Sequence, residues 1–159
     1  MVTYNNFSSL MSEIRTRLDE LVSPNTIKEL AKDTTESLLT RTRKGYGAEK
    51  TGGRIVRFKS LSQSTINTRR KYSNLSAYTS ASKSNLTATG TMLKDLGYKV
   101  SNKSFTIGFK SARSDNIARH HQEGRGKLPK RPFMFLSNVD IEALNEALNT
   151  LAQKIIGSV

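Results

Sequence analysis

Both histidines of the chain are adjacent, His120 and His121, and Glu123 follows two residues on. Imidazole and carboxylate groups bind metals and carry protons near neutral pH, so this cluster is the first place to look for chemistry. The His-x-Glu order of His121-Gln122-Glu123 occurs in zinc deaminases, but their Pro-Cys-x-x-Cys partner requires cysteine, and the chain has none. A metal site needs three or four convergent ligands, and no further His or Cys exists to complete one. The plainer reading is a hydrogen-bonded histidine beside a tight turn at Gly124. Asp115 and Glu123 flank the pair, yet a metal-dependent nuclease needs a denser acidic cluster. The expectation is therefore a protein that is not an enzyme, with no catalytic residue, no metal and no cofactor.

Two other segments invite a binding role. Lys44 to Arg54 reads KGYGAEKTGGR, four glycines among basic residues, which tempts a phosphate-loop interpretation. Lys50-Thr51 precede Gly52-Gly53, however, so the GxxxxGK[ST] order that cradles phosphates is missing, and the glycines predict a mobile loop. Arg69-Arg70-Lys71 lies in a stretch devoid of acids, where a run of charge is either a solvated face or part of a binding surface.

The wider charge pattern sharpens this. The 159 residues hold 26 Lys and Arg against 13 Asp and Glu, a net charge of +13. Residues 1–49 carry seven bases and seven acids, residues 50–94 nine bases and no acid, residues 95–139 nine bases and three acids, and residues 140–159 one base and three acids. The excess belongs to the middle of the chain, which points to a nucleic acid or an acidic protein as partner. A chain of this length suits one domain, residues 1–159, burying roughly 70% of its unfolded surface. Without cysteine there are no disulfides, and with no Trp and 7% aromatics the core is thin, so association with other chains is expected to contribute stability. No apolar run approaches the roughly 20 residues that span a bilayer, and residues 1–10 lack the features of a signal peptide. A soluble protein made in the cytoplasm, with no membrane partner, is expected.

The elements that must position these residues follow from periodicity. Phe7, Met11, Ile14, Leu18 and Leu21 recur at helical spacing. Ser23-Pro24 restarts the pattern as cap and first turn, with Val22 placed to staple onto Ile27 and with Ile27, Leu30, Ala31, Thr34 and Leu38 inward until the helix frays near Arg43. Ile55 to Lys59 is a short strand at best. Leu61 to Tyr72 predicts a short helix capped by Ser62, and Ser73 to Ser84 irregular chain. Tyr98 and Val100, a turn at Asn102-Lys103, then Phe105, Ile107 and Phe109 predict a hairpin with one apolar face. Arg131-Pro132 holds the chain extended, with Phe133 and Phe135 to one side and Met134 and Leu136 to the other. Ser137-Asn138-Val139-Asp140 resembles a capping box with Asp in place of Glu, opening a helix striped by Ile141, Leu144, Leu148, Leu151 and Ile155. The segments are thus 1–43 helical, 44–60 basic loop, 61–94 short helix and Ser-rich chain, 95–136 hairpin and Arg-Pro-Phe segment, and 137–156 helix. The class is α+β: an antiparallel sheet with a β-hairpin, flanked by N-terminal helices and a C-terminal amphipathic helix whose terminal helices cover one sheet face.

Several of these segments also carry a resemblance. Leu86-Thr87-Ala88-Thr89-Gly90-Thr91-Met92-Leu93 precedes the hairpin. Ile117-Ala118-Arg119-His120-His121-Gln122-Glu123-Gly124 follows it, and Arg131-Pro132-Phe133-Met134-Phe135-Leu136-Ser137 opens the last helix. Their order and spacing resemble the phage virion morphogenesis family, the Mu G-like tail completion, neck and tail terminator proteins of long-tailed phages. Lys59 to Thr65 is similar to a further family segment, with Ser60 in place of its proline. The motif positions, Leu86, Gly90, Leu93, Ala118, His121, Gln122, Gly124, Arg131, Pro132, Phe133, Leu136 and Ser137, are structural in this resemblance.

The resemblance implies a structural virion protein of the head-to-tail junction, made in the host cytoplasm and carried in the virion. It implies a homo-oligomeric ring, commonly of six copies, around the DNA channel, with other neck proteins, a portal-side adaptor, the tail tube and viral double-stranded DNA as partners. The basic residues Arg41, Arg43, Lys44, Lys50, Arg54 and Arg57 are then expected to face the channel or a docking ring, meeting phosphates or an acidic surface without reading bases. The alternative is a free basic DNA-binding protein, which charge alone supports, since no helix-turn-helix spacing, zinc finger or RNA-recognition aromatic pair is present.

Overall fold

The computed structural model describes residues 22–156 without a break, together with residues 11, 12, 15, 16 and 19. The helix expected over Phe7 to Leu21 lies largely outside the described residues. Helix α1 (Pro24–Lys44) starts where the sequence predicts: the Ser23 hydroxyl accepts from the Thr26 N–H, and Pro24 occupies the first turn, where a missing N–H costs nothing. Its buried face includes Ile27, Ala31, Thr34, Thr35 and Leu38. The two threonines tolerate burial because their hydroxyls donate to the Leu30 and Ala31 carbonyls at 2.6 and 2.7 Å. Val22 is not stapled; it stays 37% exposed. Nor does the helix fray at Arg43, because Arg41 and Thr42 are buried and Gly45, at φ 92°, closes the last turn in the left-handed region.

The segment expected to be a mobile basic loop is instead a hairpin. Strand β1 (Tyr46–Ala48) pairs antiparallel with β2 (Ile55–Arg57), Tyr46 opposite Arg57 and Ala48 opposite Ile55. The cause is tertiary. A Cβ on Gly47 would lie 2.1 Å from the Pro132 carbonyl oxygen, and the neighbouring Ala48 N–H donates to that same oxygen at 2.9 Å. At the turn, Gly52 N–H donates to Leu136 O at 2.9 Å and Asn138 N–H donates to Gly53 O at 3.0 Å. Glycine serves close backbone approach here rather than mobility.

Helix α2 (Gln63–Arg70) is capped by Ser62, as its sequence predicts, and residues 71–90 form turns without helix or strand. A short helix, α3 (Thr91–Lys94), leads into the hairpin β3 (Leu96–Ser101) and β4 (Ser104–Phe109), joined by Asn102-Lys103. Its register sets Leu96 opposite Phe109, Tyr98 opposite Ile107 and Val100 opposite Phe105, so these side chains share one face. Helix α4 (Ala112–Glu123) and helix α5 (Asn138–Ile156) complete the α+β fold. Both sheets are two-stranded. Helix α1 lies across β3–β4 and α4 touches β4, whereas α5 packs on α1, which corrects the expectation that the C-terminal helix shares in covering that sheet face.

The core gathers Phe58, Met92, Leu93, Ala118 and Phe133, with Leu39, Leu86, Phe109 and Met134 packed around it. Phe109 meets Phe133 edge-on, ring centroids 6.3 Å apart. Along α5 the apolar stripe is incompletely covered: Ile141, Leu144 and Leu151 are half-buried and Leu148 is 38% exposed.

Candidate functional site

The six basic residues expected on one surface separate into three kinds. Arg41 is buried, 8% exposed, and forms an ion pair with Asp140 while its Nη2 donates to the Phe135 carbonyl at 2.5 Å. It ties α1 to the start of α5 and cannot face a channel, so its place among the channel residues is corrected. Arg43 is half-buried with its guanidinium 4.4 Å from the centroid of the Tyr78 ring, a cation–π contact that holds it against the irregular chain. Arg54 is exposed and pairs with Glu49 at 2.9 Å, which halves its use as a free charge. Lys44, Lys50 and Arg57 are exposed and make no ion pair among the described residues. They surround the β1–β2 hairpin and the helix end that leads into it.

Asp140 carries more than the sequence signals. The expected box is reciprocal: Ser137 N–H and Oγ each donate to Asp140 Oδ2 at 2.7 Å, and Asp140 N–H donates to Ser137 Oγ at 3.2 Å. The same carboxylate accepts from Ser37 Oγ at 2.6 Å and pairs with Arg41. Burial alone raises its pKa, but the hydrogen bonds from Ser37 and Ser137 and the Arg41 charge outweigh that and hold it below the usual carboxylate range. The partnership with Arg41 spans 99 positions and leaves no local pattern that a sequence reading could use.

The residues behind the family resemblance occupy closely linked positions. Leu93, Ala118 and Phe133 are core residues and Leu86 packs on them. Gly90 precedes α3 at φ 78°, and Gly124 ends α4 at φ 73°. A Cβ on Gly124 would stand 2.9 Å from Lys130 N, so the chain turns back tightly there. That return brings Arg131 N–H onto the His121 carbonyl at 2.7 Å, while Gln122 Oε1 accepts from Phe133 N–H and Met134 N–H at 2.9 and 3.1 Å. Pro132 and Leu136 supply the carbonyls that receive the β1–β2 hairpin, and Ser137 is fully buried at the start of α5. Between Arg131 and Ser137 the expected two-sided extended segment is a bent one, with Phe133 buried and Phe135 half-buried, because Gln122 captures the backbone at Phe133 and Met134.

His121 differs from the plain expectation. The Gly124 turn is present, but His121 Nδ1 is buried and has no hydrogen-bond partner. Its pKa falls to about 4, first through burial and then through the charges of Arg131, Arg69 and His120. Glu123 is turned away and paired with Arg125. No three His, Asp or Glu side chains converge on a common point among the described residues. His121 lines a cleft of about 900 Å³ together with Arg69, Arg113, Lys127 and Arg131.

The roles of three neighbouring positions went unsignalled in the sequence, although Leu86 among them is a motif position of the resemblance. Asn85 is fully buried; its Nδ2 donates to Arg43 O at 2.9 Å and Tyr78 O at 2.7 Å, and its Oδ1 accepts from Thr79 Oγ1 at 2.8 Å. Thr87 is buried with an unpartnered hydroxyl, and Leu86 between them holds φ 57°, a left-handed conformation uncommon outside glycine. Polar anchors of irregular chain have no period to reveal them. No family model, curated protein or solved structure matches the chain. No helix among the described residues is long and apolar enough to cross a membrane.

Proposed function

We propose that the chain is a structural protein of a bacteriophage head-to-tail junction and has no catalytic activity. In this reading it is a tail completion or tail terminator protein, closing as about six copies into a ring around the DNA channel and joining head connector to tail. The observation that carries the reading is the β3–β4 hairpin, a two-stranded ribbon with both outer edges unpaired among the described residues and Val100 exposed toward its tip. The ribbon is supported on one face by α1, and its open edges are templates for pairing with another chain. Edge pairing between successive copies is a heterologous contact, and such contacts generate rings when the rotation closes.

Three further features fit. The segments that carry the family resemblance share one core and one hydrogen-bonded return between α4 and α5. The half-open stripe on α5 offers a second apolar surface for a neighbouring neck protein. Exposed Lys44, Lys50 and Arg57 provide charge for the passing duplex or an acidic docking face, repeated once per copy.

Native mass measurement and imaging of assembled particles test this. The expected result is a closed multiple of the 17.7 kDa chain, and dissociation of that ring in Val100→Glu with helix content retained. A protein that stays monomeric and never joins particles overturns the reading. The triple Lys44→Ser, Lys50→Ser, Arg57→Ser variant should assemble normally yet retain DNA or dock poorly. A monomer that binds duplex DNA tightly, with affinity falling steeply as salt rises, would favour the free DNA-binding alternative.

A further inference from the structure

Arg131 is 4% exposed, and no carboxylate pairs with it among the described residues. Its Nε donates to Ser84 Oγ at 3.1 Å and its Nη2 reaches Lys59 O at 3.4 Å, both neutral acceptors. Nη1 has no hydrogen-bond partner among the described residues and is not one of their buried unpartnered atoms, which leaves it accessible from the cleft. Arg69 is half-buried and likewise spends one nitrogen on a neutral acceptor, Lys83 O at 3.0 Å. Because Lys83 and Ser84 are consecutive, the two guanidinium groups are held at one short stretch of chain. Each lies on the lining of the same cleft, and Arg69 lowers the pKa of Arg131 after burial does. His121 joins them with its buried, unpartnered Nδ1.

Taking a cation out of water without an acid or anion to compensate it is expensive, and a native fold normally pairs or exposes it. Here two arginines, anchored to consecutive residues, line one cleft instead. The one carboxylate on the lining, Asp95, is spent elsewhere: it accepts from the Ser111 hydroxyl and N–H, and the Ser111 and Ser114 hydroxyls, with the Lys110 charge, hold its pKa below the usual carboxylate range. The left-handed backbone of Leu86 adds a strained residue to the same wall. Strain of that kind persists only where the surroundings enforce it and clusters at ligand sites.

We infer that the cleft between α2, residues 84–92, α4 and Arg131 is a binding site for a phosphate dianion, free or carried as a monoester. Charge decides between oxyanions: a phosphate monoester carries −1.5 to −2 at pH 7 and matches two guanidinium groups, whereas a carboxylate leaves one of them unbalanced. Arginine forks suit its oxygens, and Ser60 places a further hydroxyl on the lining. About 900 Å³ exceeds what phosphate alone fills, and Leu86, Met92, Ile117 and Leu128 form an apolar wall for an organic body. The inference is independent of any role in a virion, since it rests on the monomer's own cleft.

Thermal unfolding of the full chain, with inorganic phosphate or adenosine monophosphate titrated against chloride at constant ionic strength, tests it. A saturable rise of roughly 5–10 °C at a hundredfold excess over Kd is expected, with acetate giving none. A monoester binding more tightly than inorganic phosphate identifies an organic ligand; equal affinity identifies the free ion. Arg131→Met and Arg69→Met should each abolish the rise, and Lys50→Ser, outside the cleft, should keep it. The His121 imidazole resonance, assigned with His120→Gln, should shift on phosphate addition, which reports on the site even where a variant unfolds. A response no larger than that to chloride, or one unchanged in both arginine variants with the His121 resonance unmoved, overturns the inference.

Discussion

Arg41 and Arg131 are buried to nearly the same extent, in two regions built in opposite ways. Around Arg41 the charge has its counterpart: Asp140 pairs with it, Ser37 and Ser137 hydrogen-bond the same carboxylate, and α1 is fastened to the start of α5, with only the Arg41 Nε left buried without a hydrogen-bond partner among the described residues. Around Arg131 only neutral oxygens answer among the described residues, a second arginine lines the same cleft, and the His121 Nδ1 goes without a partner. The first arrangement is what a fold needs to close. The second costs stability in the free protein, and such costs persist where a binding partner repays them. Net charge alone conceals this contrast, since both arginines count equally toward +13.

The contrast breaks most visibly at Asp140. Asp140→Ala strands a buried guanidinium and removes the α5 cap, and should cost about 3–5 kcal/mol in denaturant unfolding. Arg131→Met, which removes a buried cation that has no acid partner, should cost no more than about 1–2 kcal/mol in phosphate-free buffer, since only hydrogen bonds to neutral oxygens are lost. Equal losses at the two sites would erase the distinction between the regions.

Gly124→Ala should cost about 1–2 kcal/mol by the left-handed backbone alone, and more if Lys130 cannot yield to a Cβ 2.9 Å from its nitrogen. The same substitution should loosen the return that brings Arg131 to His121, visible as a changed His121 resonance.

Acid separates the regions by pH. His121 has a depressed pKa, so above pH 6.5 it is neutral in both folded and unfolded chains and costs nothing. As pH falls from 6.5 toward about 4 the unfolded chain takes up the proton first, and stability declines. Asp140, also depressed, contributes stability above the unfolded carboxylate pKa of about 3.9, which is lost only as pH falls through its lower folded value. Urea midpoints from pH 7 to 3 should therefore show two successive declines. The first should shrink in Arg131→Met as the His121 pKa moves back toward 6.5, a change that an NMR titration reads directly. The smallest effects belong to the exposed bases: Lys50→Ser and Arg57→Ser should each alter stability by less than about 0.5 kcal/mol.

Much of the fold was legible because it is written in local signals. The Ser23-Pro24 start, the Ser62 cap, the β3–β4 register around Asn102-Lys103 and the Ser137–Asp140 box each need only a few neighbouring residues to specify them. The β1–β2 hairpin was not legible, since its glycines look like mobility until Pro132 is seen against Gly47. The candidate cleft was less legible still: Arg69 looked like part of a solvated run and His121 like an ordinary hydrogen-bonded side chain.

By itself, then, the sequence determined the α+β class, the capped starts of three helices, the β3–β4 hairpin and the placement of positive charge in the middle of the chain, since periodicity, caps and composition act over a few residues; helices α3 and α4 and the β1–β2 pairing it did not signal. Only the tertiary structure decided which of those charges are spent and which are free. Asp140 neutralises Arg41 from 99 positions away, while Arg131 is carried by the Gly124 return to a place where no carboxylate pairs with it among the described residues. Coulomb energy and desolvation depend on distance in space and on burial, and neither is a property of position along the chain.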